Sequence, residues 1–328
     1  MDKGIKMKYP IKKILLIIIT LVLLIHHKSL AMKSKVVITE GAPKEYREKI
    51  GIRLTKIVNA LGNEKFGIIK KYTTSSGFED IKKIVEETEC YNVNPLYERR
   101  LISVDLDKYE VRDIKVKVNM NKTRGNPFQY LVFTIDHNNK IEEARFAIER
   151  HHYQKVIKQG EKLQDFTRRQ KILHFIEIFR TAYNRKDLEY LKKVYSEDAL
   201  IIVGKVLKKK KNSSDMLEGS SLPEKRIKFI KRSKKEYIKN LEKVFQINSF
   251  VKVNFEKIEI NQHPKIDDIY GVTLKQKWKS STYSDVGYLF LMVDFINPKK
   301  PVIHVRSWQP EIFPDGSVVS LGYFELIE

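Results

Sequence analysis

The hydrophobic pattern of this chain changes from a helical period to a strand period, and it does so twice. Over residues 46–61 apolar side chains recur every three or four positions, and over 111–148 they alternate with polar ones. The same order returns in three helical stripes between residues 172 and 245, the third at 227–245, and in four strand-like runs over 250–309. Helices followed by antiparallel strands predict an α+β fold.

The repeated order also predicts the domain limits. We expect a linker at 32–43, a first α+β domain at 44–150, a connector at 151–169 and a second domain at 170–328. A chain of 328 residues is long enough for two domains that each bury their own core.

The first 31 residues have the pattern of an export signal. A lysine-rich start precedes an apolar run at 14–25, and Ser29-Leu30-Ala31 is a small-x-small ending. The run has about twelve residues, fewer than the roughly 20 that span a bilayer. We therefore expect cleavage after Ala31, only transient contact with the membrane through the signal, and export to the periplasm, cell envelope or medium. The alternative is an uncleaved N-terminal membrane anchor.

The chain is strongly basic, with a formal net charge of +22. Arginine, which binds phosphates and bases with two parallel hydrogen bonds, is scarce at 15 residues against 48 lysines. We attribute the charge to solvated surface lysines and predict no nucleic-acid partner. The single cysteine, Cys90, excludes an internal disulfide, and its acidic neighbour Glu89 disfavours a thiolate nucleophile.

Two hairpin-like segments, 129–149 and 287–310, resemble each other. Each has a strand, an aspartate, a turn containing asparagine, and a second strand with an arginine. We interpret them as ends of a diverged tandem repeat, although any two β-hairpins share these features. The matched residues are Asp136 with Asp294 and Arg145 with Arg306.

The segment FIEIFRTAYNRKDLEYLKKVYSEDALIIVG, at 175–204, resembles the opening of the nuclear transport factor 2 (NTF2)-like superfamily. Asp187 suits the break between its two helices, because a carboxylate caps the helix that follows. The resemblance covers residues 165–309, and it reaches the first domain only through the repeat. It implies tandem cone-like domains, in which helices pack on a curved antiparallel sheet and enclose a pocket.

The run at 302–308 supplies the main pocket candidates. A two-residue period places His304, Arg306 and Trp308 on one face of a strand. Such a face would bind an anion, with Arg306 as charge partner, Trp308 as stacking wall and His304 as proton carrier. Alternatively, these residues lie on the outer face of the sheet or in an inter-domain contact.

Further candidates follow from residue type. Tyr288 and Asp294 share one face of the preceding strand, and an isomerase-like site would need tyrosine donors opposite a carboxylate. No spacing marks a catalytic set. The full set of pocket candidates is His304, Arg306, Trp308, Asp294, Tyr288, Tyr237 and Tyr195.

The sequence predicts no cofactor and no metal. It has no phosphate loop, no Gly-x-Ser-x-Gly and no His-Glu-x-x-His. The pair His151-His152 has no third ligand at helical or hairpin spacing, so we interpret it as part of a solvated connector.

The resemblance leaves several functions open, because the superfamily includes isomerases, dehydratases, hydrolases, trafficking factors and binding modules. We favour an exported module that binds a partner or a small anionic or apolar ligand. The alternatives are an enzyme that uses the C-terminal pocket, and a scaffold that forms a homodimer through its sheet.

If the signal is cleaved as predicted, the mature protein begins near Met32 and is found outside the cytoplasm. Mass spectrometry of the N-terminus of the native protein checks this. A soluble cytoplasmic protein that still begins at Met1 would exclude cleavage.

Overall fold

The structure is a computed structural model, and it describes residues 32–105, 107–118, 127–158, 163–207 and 226–324. The predicted export signal lies outside these residues, so its cleavage stays a prediction. Within the described ranges, no helix combines the length and apolar character needed to cross a membrane. The predicted α+β class is confirmed, since helices pack on antiparallel sheets.

The first part of the chain contains three helices and seven strands in its described residues. β2, β5, β6 and β7 are neighbours in one sheet, where β4 also pairs with β5, and β1 pairs with β3 in parallel. Residues 35–40, which we had expected in a linker, form strand β1. The elements are β1 (Lys35–Glu40), α1 (Lys44–Leu61), α2 (Phe66–Lys71), α3 (Ser75–Thr88), β2 (Tyr91–Asn92), β3 (Leu96–Arg100), β4 (Ile102–Asp105), β5 (Lys108–Lys117), β6 (Phe128–Ile135) and β7 (Ile141–Phe146).

The second part has four helices and a six-stranded sheet in the order β10-β11-β12-β13-β8-β9. All neighbours are antiparallel except β13 and β8, which run parallel. The elements are α4 (Arg150–Lys158), α5 (Leu163–Asn184), α6 (Leu188–Val194), β8 (Tyr195–Leu207), β9 (Arg226–Arg232), α7 (Lys234–Ile247), β10 (Val251–Gln262), β11 (Ile269–Ser280), β12 (Ser284–Asp294), β13 (Val302–Gln309) and a 3-10 turn (Leu321–Tyr323).

The chain divides into two compact units. Unit 1 holds the described residues up to Val85 with Glu89–Lys117 and Phe133–Glu143, and unit 2 holds the remainder, including everything described after Glu143. Both units therefore take residues from β6 and β7. Compactness does not measure independent folding, so the predicted domain limits at residues 150 and 170 stay predictions.

The third predicted helix, at 227–245, is wrong over its first third. Residues 226–232 form β9, which pairs with β8, and α7 begins only after Ser233. The sequence Arg-Ile-Lys-Phe-Ile-Lys-Arg also fits a strand edge, and a capping box between Ser233 and Glu236 fixes the start of α7. The apolar residues of this stretch fit both a helical period and a strand period, and pairing with β8 places residues 226–232 in a strand.

Asp187 caps α6 as predicted. Its Oδ1 accepts a hydrogen bond from the backbone N–H of Tyr190 at 3.1 Å, and Lys186 before it has a left-handed φ of 51°. The chain therefore turns sharply after α5. Because α6 is short, β8 starts close to the end of α5, where Tyr195 meets Tyr183.

A buried ion pair fixes α5. Arg145 Nε lies 3.0 Å from Glu177 Oε2, and the two side chains are 1% and 0% exposed. Glu177 Oε1 also accepts from the backbone N–H of Ile148 at 2.9 Å. One carboxylate thus joins the helix to the backbone and to the arginine at the end of β7.

Arg180, one turn further along α5, is also buried. It donates from Nε to the Val253 carbonyl at 3.0 Å and from a terminal nitrogen to the Ala147 carbonyl at 2.5 Å, and it bonds the Gln129 side chain. Burial lowers the pKa of Arg180 to about 10. Asn184 accepts from the Val253 N–H at 2.6 Å, so the same face of α5 is tied to β10.

The hairpin likeness has a local physical cause. Asp136 accepts from the Lys140 N–H at 2.8 Å, and Asp294 accepts from the Ile296 N–H at 2.6 Å, so each aspartate stabilises the turn that follows its strand. Arg145 and Arg306 have different partners, described above and below. The tandem repeat stays a prediction.

Arg145→Met is expected to lower the free energy of unfolding by about 3–5 kcal/mol, because it removes the guanidinium from a fully buried carboxylate. Chemical denaturation measures this loss. Lys277→Met is the matched control: it breaks the exposed pair with Glu256 and should cost less than about 1 kcal/mol. Equal losses of unfolding free energy in the two variants would contradict a stabilising role for the buried Arg145–Glu177 pair.

Candidate functional site

Three tyrosine hydroxyls meet inside unit 2. Tyr183 near the end of α5 lies 3.0 Å from the hydroxyl of Tyr195 at the start of β8, and 2.7 Å from that of Tyr237 in α7. Burial raises the pKa of both Tyr183 and Tyr195 well above the ordinary value. Tyr183 and Tyr195 therefore remain neutral hydrogen-bonding groups at physiological pH.

Arg306 of β13 points at this tyrosine cluster. Its guanidinium carbon lies 5.0 Å from the centroid of the Tyr237 ring, and the residue is 7% exposed. Burial acts to lower the pKa of Arg306, but Tyr237, Tyr183 and Tyr195 outweigh it and raise that pKa. Arg306 is thus a buried cation held among phenols.

A β-bulge decides which side chains of β13 face the helices. Val293 pairs with Ile303 and Met292 pairs with Val305, so His304 has no opposite residue. Ile303 packs in the core that contains the tyrosines, whereas Val305 packs in the cluster on the other side of the sheet. The uniform two-residue period predicted here is therefore broken at His304.

Trp308 lies on the helix-facing side of the sheet with the core of unit 2. A Cβ at Gly287 of β12 would come within 2.8 Å of the indole ring, so the ring lies against bare backbone. The indole Nε1 is buried and has no hydrogen-bond partner among the described residues.

Asp285 is a site residue that the sequence analysis missed. It is two positions from Gly287, so it shares that face of β12, and Arg306 is close enough to act on it. Burial raises the pKa of the Asp285 carboxyl, against the lowering effects of the Tyr283 hydrogen bond and of Arg306. Burial and the neighbouring Asp285 also raise the pKa of Tyr283 to about 12.

The signal for Asp285 was present in the alternation of β12. Leu289, Leu291 and Val293 face the core of unit 2, and Asp285 has the same parity. A single charged residue in phase with the apolar face of a strand was the available clue.

The other candidates lie apart from the tyrosine cluster. Tyr288 and Asp294 have the parity of Phe290 and Met292, which pack on the opposite face of β12. Asp294 Oδ2 lies 3.5 Å from His304 Nε2. The structure thus brings together Tyr195, Tyr237, Arg306 and Trp308, and it groups His304 with Asp294 near the strand ends.

A third donor accompanies the two adjacent histidines. Donor atoms of Glu149, His151 and His152 lie within 4.8 Å of one another at the start of α4. Burial lowers the pKa of His152. Arg150 and Lys155 are in the same segment, and the N-terminal end of a helix repels cations. This environment disfavours a metal ion.

No known protein family and no curated protein matches this sequence. Similar solved structures include Bd1075 of Bdellovibrio bacteriovorus, with 16% identity, a TM-score of 0.34, and 54% of this chain and 47% of that chain covered. This chain therefore spans about half the length of Bd1075.

Two smaller structures are also similar. One is an NTF2-like protein of unknown function from Shewanella oneidensis MR-1, with 16% identity, a TM-score of 0.29, and 42% of this chain and 96% of that chain covered. The other is a scytalone dehydratase-like protein from Novosphingobium aromaticivorans, with 13% identity, a TM-score of 0.31, and 46% and 89% covered. At these identities and TM-scores the similarities identify neither a family nor an activity.

Tyr183→Phe is expected to lower the free energy of unfolding by about 1–3 kcal/mol, because it leaves the buried Tyr195 hydroxyl and the half-buried Tyr237 hydroxyl without their shared partner. Chemical denaturation measures the change. The control is Tyr323→Phe at an exposed site, with an expected effect within about 0.5 kcal/mol. If Tyr183→Phe leaves the free energy of unfolding unchanged, the three hydroxyls do not form a hydrogen-bonded network shielded from water.

Proposed function

We propose that this protein is an exported binding module, and that unit 2 binds a small polar ligand on the helix-facing side of its sheet. The observation that carries the proposal is a set of three buried polar atoms without a partner among the described residues: Arg306 Nε, Trp308 Nε1 and Asp285 Oδ1. Buried polar groups are paired as a rule, and an unpaired one costs about 1–3 kcal/mol. A ligand that bonds to them would recover this free energy.

The same atoms define the ligand chemistry. Two of them are donors, from a guanidinium and an indole, and the third is a carboxylate acceptor. Aromatic rings lie in the same core: the guanidinium carbon of Arg306 is 5.0 Å from the Tyr237 ring centroid, and Trp278 is 5.8 Å from Tyr183 by ring centroids. A planar ligand with an anionic group and one hydrogen-bond donor satisfies these features.

The cellular location and the family belong to the same proposal. Residues 1–31 support export by their basic start, apolar run and small-x-small ending. The helices of unit 2, followed by its antiparallel strands, agree with an NTF2-like domain.

One observation favours an enzyme as the second candidate. The pKa of the buried Asp285 carboxyl is raised, which moves its titration toward neutral pH and suits a general acid or base. Tyrosine donors on the same side of the sheet could stabilise a developing negative charge. Isomerase or dehydratase chemistry would use this pairing.

Arg306→Met is expected to weaken binding of an aromatic carboxylate by roughly 10- to 100-fold, the value of a hydrogen bond to a charged group. The test is a thermal-shift screen of carboxylates that begins with 6-hydroxy-2-naphthoate, whose hydroxyl supplies the donor for Asp285, followed by calorimetric titration. Trp308→Ala should lower both affinity and stability, the latter by about 3–5 kcal/mol.

Asp285→Asn separates the two functions. For a binding module it changes affinity alone, whereas for an enzyme it abolishes turnover and leaves carboxylate binding largely intact. Wild-type affinity in the Arg306→Met variant would place the ligand elsewhere and reject the proposed site.

A further inference from the structure

Unit 1 contains a separate groove between α1 and α2. Its volume is about 500 Å³, within the range of about 300–1,000 Å³ that is usual for small-molecule sites. Its lining includes the apolar side chains of Ala60 and Ile68 and the ring of Tyr72. All of its lining residues belong to unit 1.

The charge of the groove has one sign. Lys56, Lys65 and Lys71 line it, and no acidic residue is among the described residues of its wall. In the described ranges, none of these three ammonium groups forms an ion pair. They therefore present positive charge to solvent over an apolar floor.

Two of the ammonium groups converge on one phenol. Lys56 Nζ donates to the Tyr72 hydroxyl at 3.0 Å, and the nitrogens of Lys56 and Lys71 lie 5.3 Å and 5.8 Å from the ring centroid. The hydrogen bond from Lys56 lowers the pKa of the Tyr72 phenol. The lowered pKa of Tyr72 reflects a local excess of positive charge at this end of the groove.

The α1 wall of the groove is anchored to the first strand, and α2 has lysines at both of its ends. Thr55 and Asn59 of α1 are bonded to the backbone of Val36 and Ser34, so the α1 wall is anchored to β1. Lys65 precedes α2 and Lys71 ends it, so positive charges lie at both ends of this short helix. One negative group could not neutralise charges at both ends.

We propose that this groove binds a small organic anion that carries two or more negative groups on an apolar body. The apolar floor contacts the body, and the lysines at the two ends bind its separate anionic groups. This site is independent of the proposed ligand site in unit 2.

A series of naphthalene compounds tests the proposal on the full chain. Naphthalene-2,6-dicarboxylate should bind more tightly than 2-naphthoate, and 2-naphthamide should bind least, as measured by calorimetric titration. The titrations use the Arg306→Met variant so that the unit 2 site does not contribute. Higher salt should weaken binding of the dicarboxylate, because exposed charges are screened.

Lys56→Gln and Lys71→Gln should each reduce the affinity for the dicarboxylate by about two- to fivefold, as expected for exposed charge pairs. Ile68→Ser tests the apolar floor and should weaken all three compounds alike. The matched control is Lys299→Gln with Lys300→Gln, a change of two exposed lysines in unit 2 that should leave the affinity unchanged.

Three results would overturn the proposal that the groove binds a dianion. They are no binding in the Arg306→Met background, equal affinity for the amide and the dicarboxylate, or unreduced affinity in both lysine variants. Loss of all binding with Arg306→Met alone would reject the groove and leave the unit 2 site standing. Binding that is weakened by the lysine variants but unchanged by Arg306→Met would support the groove and reject the unit 2 site.

Discussion

The buried polar face of α5 is the constraint on which unit 2 depends. Glu177 and Arg180 reach residues at the end of β7 and in β10, so both the position and the rotation of the helix are fixed. Removing charges from water is costly, and these contacts tolerate only one arrangement in which every charge is compensated. The hydrophobic face of α5 is fixed as a consequence, and it carries Tyr183 to the tyrosine cluster.

Arg306 is stabilised in a different way from Arg145. A buried carboxylate pairs directly with Arg145, whereas Arg306 lies against a phenol ring, beside hydroxyls and near Asp285, with which it forms no ion pair among the described residues. Partial charges compensate a cation incompletely, and Arg306 Nε is left without a partner. The contrast separates an arginine that holds the fold from one that is available to a ligand.

Local patterns could be predicted from the sequence, and contacts between distant segments could not. The Asp187 cap depends on residues three positions apart, and the α+β order depends on hydrophobic period. The bulge at His304 depends on the register of β12 against β13. Residues 302–308 alone do not predict that register. Arg306 and Trp308 share one strand, so their common face could be predicted, whereas the proximity of Asp285 to Arg306 depends on the pairing of β12 with β13 and only the parity of Asp285 hinted at it.

The contact between Gly287 and Trp308 has a consequence for related chains. The indole occupies the space that a side chain at position 287 would need, with 2.8 Å between the ring and an added Cβ. The same Cβ would come within 2.5 Å of the Gln309 backbone carbonyl oxygen, so a smaller residue at 308 would not by itself make room, and position 287 should stay glycine as homologous sequences diverge. A homologue that replaces this glycine would have to shift the backbone of β13 as well as the indole, and so would change the shape of this wall.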